Sequence, residues 1–154
     1  MGTMLGGGCI GNDQEQIECN IKPCDTVVLF YAHGPKAMSI SFAETIVYGS
    51  LTIDYGGGYN SANGVFTAPH EGLYLFTSQV CIQPGHYAYT GITKEGVVFQ
   101  ASLVGLNNDY TCSSMQAAIN MRVGEKVWVH ATNSSKIYES RESKCSFSGM
   151  LIKP

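Results

Sequence analysis

Six cysteines and four histidines are the residues with the most chemistry to offer in this 154-residue sequence. No two cysteines form a Cys-x-x-Cys pair, so the common zinc and thioredoxin-like signatures are missing. His33, His70, His86 and His130 form no His-x-x-x-His motif, so the metalloprotease His-Glu-x-x-His signature is missing. His70 lies in a Pro-x-x-Gly turn and His86 follows Pro84-Gly85, so both are expected at the surface. There is no Gly-x-Ser-x-Gly elbow, and no Gly-rich loop leads into Gly-Lys-Ser/Thr. Carboxylate pairs are sparse. Glu139 and Glu142 flank Arg141 in what reads as a solvated loop. The chain therefore reads as a protein that binds rather than catalyses.

Binding chemistry is easier to find. Sugars present a C–H face and many hydroxyls, so their sites combine aromatic rings with amides and carboxylates. Two segments have that composition: Asn107, Asn108, Asp109 and Tyr110, and Tyr138, Glu139, Ser140, Arg141 and Glu142. Tyr87 and Tyr89, after His86, make a third candidate loop.

Composition narrows the partners and the compartment. Charged residues are 14% and the net charge is −3, with no Lys/Arg cluster. A nucleic-acid or anionic-membrane surface needs a basic patch, so neither partner is expected. No apolar run approaches the roughly 18 residues of a membrane span. Six cysteines in so short a chain point to an oxidising compartment. Asn133-Ser134-Ser135 is a glycosylation sequon, which agrees with secretion. The start, Met1-Gly2-Thr3-Met4, has neither a basic nor an apolar region of a signal peptide. The simplest expectation is a removed signal peptide and a short leader in its place.

These residues need a scaffold, and the pattern supplies strands. Val27 to Tyr31, Ile46 to Tyr48, Leu51 to Ile53 and Leu73 to Val80 read as strands. So do Val97 to Leu106, Met115 to Met121, Lys126 to Ala131 and Phe147 to Ile152. Turn formers separate them, among them Asn63-Gly64, Glu71-Gly72, Glu95-Gly96 and Val123-Gly124. No segment keeps a 3.6-residue period over three turns. Many short strands at this spacing predict an all-β sandwich or barrel. Residues 1–25, with flexible Leu5-Gly6-Gly7-Gly8 and Cys9, Cys19 and Cys24, read as an N-terminal extension that is partly leader. Residues 26–154 read as the globular domain. No Gly-x-y repeat is present.

The most specific stretch runs from Gly57 to Phe76. Its frame is Gly-x-Tyr, then Gly-x-Phe-x-x-Pro-x-x-Gly-x-Tyr-x-Phe. Gly64 and Gly72 stand where turns need positive φ, and Phe66, Tyr74 and Phe76 recur at the even spacing of one sheet face. This stretch closely resembles the signature of the globular head of complement component C1q. Gly124 to Val129 and Ser146 to Leu151 resemble that family's last two strands, in the expected order. The resemblance implies a ten-strand jelly roll of the tumour-necrosis-factor type, assembled as a homotrimer. It further implies a short, secreted, head-only member that works as a lectin-like pattern-recognition protein of innate immunity. Its ligands would be carbohydrate or microbial surfaces. The competing reading is a structural or signalling ligand of cerebellin or matrix type that binds a protein receptor.

The implied fold also bears on the cysteines, which alone allow 15 pairings. It makes the strands of Cys81, Cys112 and Cys145 neighbours in one sheet. Cys81 can then bridge either Cys112 or Cys145, with Cys112 preferred. Cys19 and Cys24 can close a small loop, leaving Cys9 for another partner. Family heads often hold calcium near the trimer apex through acidic residues. Here a position that is Asp in metal-binding relatives falls on Thr111, and Asp109 is the remaining candidate ligand. A family-type calcium site is therefore not expected, and no other cofactor is implied.

Overall fold

The computed structural model describes residues 26–106 and 108–154, together with the backbone of three short N-terminal strands. Those three, β1 (Met4–Leu5), β2 (Gly8–Ile10) and β3 (Gln16–Ile17), pair in an antiparallel sheet of their own. Cys19 and Cys24 lie outside the described residues, and of Cys9 only the backbone, in β2, is described.

The domain is built from strands whose apolar residues alternate with polar ones. In order these are β4 (Leu29–Pro35), β5 (Ser39–Ile40), β6 (Tyr48–Tyr55), β7 (Tyr59–Asn60), β8 (Val65–Thr67) and β9 (Gly72–Ile82). They continue with β10 (Tyr87–Lys94), β11 (Val97–Gly105), β12 (Thr111–Met121), β13 (Lys126–Ala131), β14 (Ser135–Lys136) and β15 (Ser146–Lys153). Two five-stranded antiparallel sheets form the sandwich, in the orders β12-β9-β15-β4-β6 and β11-β10-β13-β8-β7. A two-stranded ribbon, β14-β5, lies outside them. The ten strands of the two sheets match the jelly roll that the sequence implied.

Alternation decides the core. In β9, Tyr74, Phe76, Ser78 and Val80 turn inward while Leu73, Leu75, Thr77 and Gln79 turn out. Phe30 stacks on Tyr59 with ring centroids 4.9 Å apart and on Phe66 at 5.0 Å. Phe147 meets Phe30 edge-on, also at 5.0 Å. Offset and edge contacts are the arrangements that ring quadrupoles favour. The buried hydroxyls are satisfied: Tyr59 donates to the Tyr48 carbonyl at 2.9 Å, and Tyr74 to the His70 carbonyl at 2.8 Å. Burial pushes the Tyr59 phenol up to about 12 and the Tyr48 phenol higher still, so both stay neutral.

Two readings of the strands need correction. Ile46 to Tyr48 and Leu51 to Ile53 are not two strands; Tyr48–Tyr55 is one, paired along β4 with a bulge between Tyr31 and Ala32. Tyr87 and Tyr89, read as loop residues, stand on β10, a strand paired on both sides by β11 and β13. Gly91 stands within this strand. A Cβ there would press on Thr132 at 3.1 Å and Val98 at 3.2 Å, so the close approach of neighbours selects glycine.

Antiparallel register sorts the loops into two ends. The loops after β9, β11 and β14 share one end, where Thr111 pairs with Ile82. The turns before β9, after β10 and after β12 share the other, where Met121 pairs with Gly72. The chain enters β4 and leaves β15 at this second end, beside Leu73.

Candidate functional site

Sheet register brings two of the three candidate loops together. The β11–β12 loop leaves its strand at Leu106, which has a left-handed φ of 55°. The Asp109 carboxylate accepts the Tyr110 N–H at 2.8 Å, and the Thr111 hydroxyl donates to the Asp109 carbonyl at 3.3 Å. This local turn holds Tyr110 outward, 52% exposed.

The β14–β15 loop is fixed from below. The Tyr138 N–H donates to the Cys81 carbonyl at 2.8 Å. The Ser140 hydroxyl accepts the backbone N–H of Glu142 at 3.3 Å and of Ser143 at 3.1 Å. The Tyr110 and Tyr138 rings meet at 5.1 Å with a 48° tilt. Between the loops lies an open cleft of about 300 Å³, lined by Asp109, Tyr110, Tyr138, Ser140, Glu142 and Ser143.

A cysteine cluster underpins this end. Cys81 and Cys112 are directly opposite in the β9–β12 ladder and form a disulfide, with Cα atoms 3.9 Å apart. Cys145, the alternative partner, instead keeps a buried free thiol. That thiol donates to the Tyr138 carbonyl at 3.3 Å and accepts the Cys81 N–H at 3.3 Å. Burial pushes it up to about 11, so it stays protonated near neutral pH. Cys145 thus serves as a hydrogen-bonding spacer between the disulfide and the cleft wall.

The remaining candidates fall elsewhere. Glu139 does not face the cleft. Its carboxylate accepts the Cys145 N–H at 3.2 Å and lies 3.6 Å from the Lys144 ammonium, which makes it a brace of the loop. Arg141 and Asn108 are exposed but do not line the cleft. Asn107 lies outside the described residues. Tyr87 lies flat across the backbone of Gly105 and stacks on Tyr89 at 6.1 Å, on the outer face of β10 and β11. Ser143 was missed by sequence reasoning. Its only signal was a serine three residues after Ser140 in a turn.

Asn133 is exposed and its side-chain oxygen accepts the Ser134 N–H at 2.8 Å. The hydroxyl of Ser135, the third sequon residue, is turned inward against the Tyr89 backbone. Of the histidines, His70 is exposed and His86 half-buried. His33 shares a hydrogen bond with the Thr52 hydroxyl at 3.0 Å, and His130 with that of Thr93 at 2.8 Å. Among the described residues no three His, Cys, Asp or Glu side chains form a set that could hold a metal ion. In the β11–β12 loop Asp109 is the one carboxylate among the described residues, whereas calcium takes several oxygens and usually more than one carboxylate.

A second, larger cleft of about 520 Å³ lies at the opposite end, lined by Glu71, Lys94, Asn120, Arg122 and Glu125 among others. Two of its charged groups, Lys94 and Glu125, are turned on each other. Lys94 pairs with Glu125 at 2.7 Å and donates to the Asn120 carbonyl at 2.9 Å. Glu125 also accepts the Arg122 N–H at 2.8 Å. This cleft contains no aromatic ring, whereas the smaller one joins two tyrosines with carboxylates, so the smaller one is the better candidate for a sugar.

Comparison with known proteins agrees with this architecture. The C1q domain family model matches residues 29–152. Human Multimerin-2 is 28% identical over 134 residues, which is 80% of this chain and 14% of that protein. The chain therefore spans a small part of that relative's length. The globular domain of zebrafish complement 1qA superposes with a TM-score of 0.66 at 16% identity, covering 81% of this chain and 97% of the other. Murine APRIL superposes with a TM-score of 0.67 at 13% identity, covering 82% of this chain and 99% of its own.

Proposed function

The chain belongs to the C1q domain family, and from that premise we propose that it is a secreted, trimeric recognition protein that binds glycans through the Tyr110–Tyr138 cleft. Domains of this family are non-enzymatic binding modules, often extracellular. No helix among the described residues is long and apolar enough to cross a membrane.

One observation carries the reading. Two loops chosen for sugar-binding composition, 28 residues apart at Tyr110 and Tyr138, meet as one aromatic-and-carboxylate cleft. It opens at the end remote from where the chain enters and leaves the domain.

Support for a homotrimer comes from the outer face of the β12-β9-β15-β4-β6 sheet. Tyr55, Leu29, Met150, Leu75 and Ala118 are register partners and form one apolar row across all five strands. Tyr55 is 60% and Met150 44% exposed in the isolated chain. Such a row favours burial against another copy. Three copies would present three clefts on one side, and avidity would make weak contacts useful. Asn133, exposed between β13 and β14, is the expected glycan attachment point.

A glycan array combined with sedimentation tests this. Binding to a carbohydrate by a trimer, lost in a Y110A/Y138A variant, is the expected outcome. Tight binding to one receptor ectodomain and to no glycan would favour the protein-ligand alternative. That alternative draws on the exposed apolar residues Val97, Phe99 and Leu103 along the edge strand β11. A monodisperse monomer would remove the trimer.

A further inference from the structure

The cleft has a charge character that narrows its ligand, and this step rests on the reading of it as a glycan site. Its lining holds two carboxylates, Asp109 and Glu142, and no basic side chain. Among the described residues no ion pair reaches either carboxylate. The nearby cations are otherwise placed. Lys144 is held by Glu139, and Arg141, though exposed beside Glu142 in the chain, lies outside the lining. Two tyrosine rings, 5.1 Å apart and tilted by 48°, line the same space as the two carboxylates. An open corner of aromatic faces attracts a cation through the ring quadrupoles. Carboxylates at its rim accept charge-assisted hydrogen bonds from an ammonium. Ser140 and Ser143 border the same space, though the Ser140 hydroxyl is occupied in its own turn.

We infer that the cleft selects sugars carrying a free ammonium group, such as glucosamine units, over their N-acetylated or anionic counterparts. An N-acetyl group is neutral and larger, so it forfeits both the cation–π and the ion-pair attraction. A sugar acid would meet like charge from Asp109 and Glu142. The preference is electrostatic and weakens as salt screens the rim carboxylates.

The test uses the full chain at mildly acidic pH, where the sugar amine is protonated. Affinity is measured for glucosamine oligomers and N-acetylglucosamine oligomers of equal length, and for Nα-acetyl-lysine amide. The expected result is a preference of roughly tenfold for the glucosamine oligomer, abolished in D109N/E142Q with an unchanged melting midpoint. Equal binding of both oligomers at the cleft overturns the ammonium selection and leaves the glycan reading standing. Binding of neither oligomer removes the glycan reading itself. A glucosamine preference that survives D109N/E142Q overturns the inference, because the charge would then act elsewhere on this acidic protein. Binding of the lysine amide alone reassigns the cleft to a protein partner.

Discussion

The two ends of the sandwich solve the same problem in different ways. At the end where the chain enters and leaves, connections are short and close on themselves. Gly72 adopts a φ of 151°, and a Cβ there would collide with the Lys153 carbonyl and lie 2.7 Å from the Leu151 side chain. Gly96 and Gly124 supply the left-handed turns, and Lys94 and Glu125 neutralise each other. At the remote end the β14–β15 connection, residues 137–145, is long. It is held beside the Cys81–Cys112 disulfide by the Tyr138 N–H on the Cys81 carbonyl and the Cys81 N–H on the Cys145 thiol. Here two aromatic rings and two carboxylates line an open cleft. Short turns with paired charges stabilise a fold, whereas long loops on a covalent brace can display groups for others to bind.

Four perturbations break or sharpen that contrast. The largest effect is expected from C81S/C112S, because the disulfide closes a loop with a sequence separation of 31. The expected loss is about 3–4 kcal/mol in chemical denaturation. Ligand affinity should fall as well, since Tyr138 hangs from Cys81. Unchanged binding in a folded, reduced variant would break the claim that the bridge positions the cleft.

Gly72→Ala should come next, at about 2–3 kcal/mol from backbone strain and overpacking. It should leave ligand affinity untouched, because it acts at the other end. Any matching loss of binding would mean that the ends are coupled.

Smaller still is E125Q. The Lys94 ammonium holds the Glu125 carboxyl below the usual carboxylate range. The unfolded chain therefore takes up its proton first as pH falls. The stabilisation is present above the ordinary carboxylate pKa and is lost as pH drops through the lowered one. Comparing acid unfolding of E125Q and the parent protein should show only a slightly flatter acid limb for the variant. A large shift would mean that this exposed pair matters more than its setting allows.

The smallest effect is expected at His130. Burial holds its imidazole below the ordinary 6.5. Between that lowered value and 6.5 the unfolded state binds more protons, so stability rises with pH there and is fully present above 6.5. H130Q should lose this shallow slope while keeping the Thr93 contact. A slope identical to the parent's would assign it to another group.

Much of the scaffold was legible in the sequence. Even spacing of Phe66, Tyr74 and Phe76 marked a core face, and Gly64 and Gly72 marked turns with positive φ. These signals are local, so they survive without knowledge of neighbours. The errors came where neighbours decide. Tyr87 and Tyr89 read as loop residues after His86, yet the ladders to β11 and β13 make Tyr87–Lys94 a strand. The cysteine pairing was half legible: the fold narrowed Cys81 to two partners, and exact register opposite Cys112 chose between them. The composition of both cleft loops was readable, but their meeting was not, because strand order in the sheet controls it. Glu139 illustrates the limit. In sequence it is one more loop carboxylate, and only the fold turns it inward onto the Cys145 N–H and Lys144.

The central claim is that binding belongs to the remote cleft. Amide NMR chemical-shift mapping, with a glycan that binds on the array, tests it most directly. The account predicts shifts clustered at Asp109, Tyr110 and Tyr138 to Ser143, with the turns at Glu71, Lys94 and Arg122 to Glu125 silent. Shifts confined to Tyr87, Tyr89 and Leu103, or to the Lys94–Glu125 end, would contradict it.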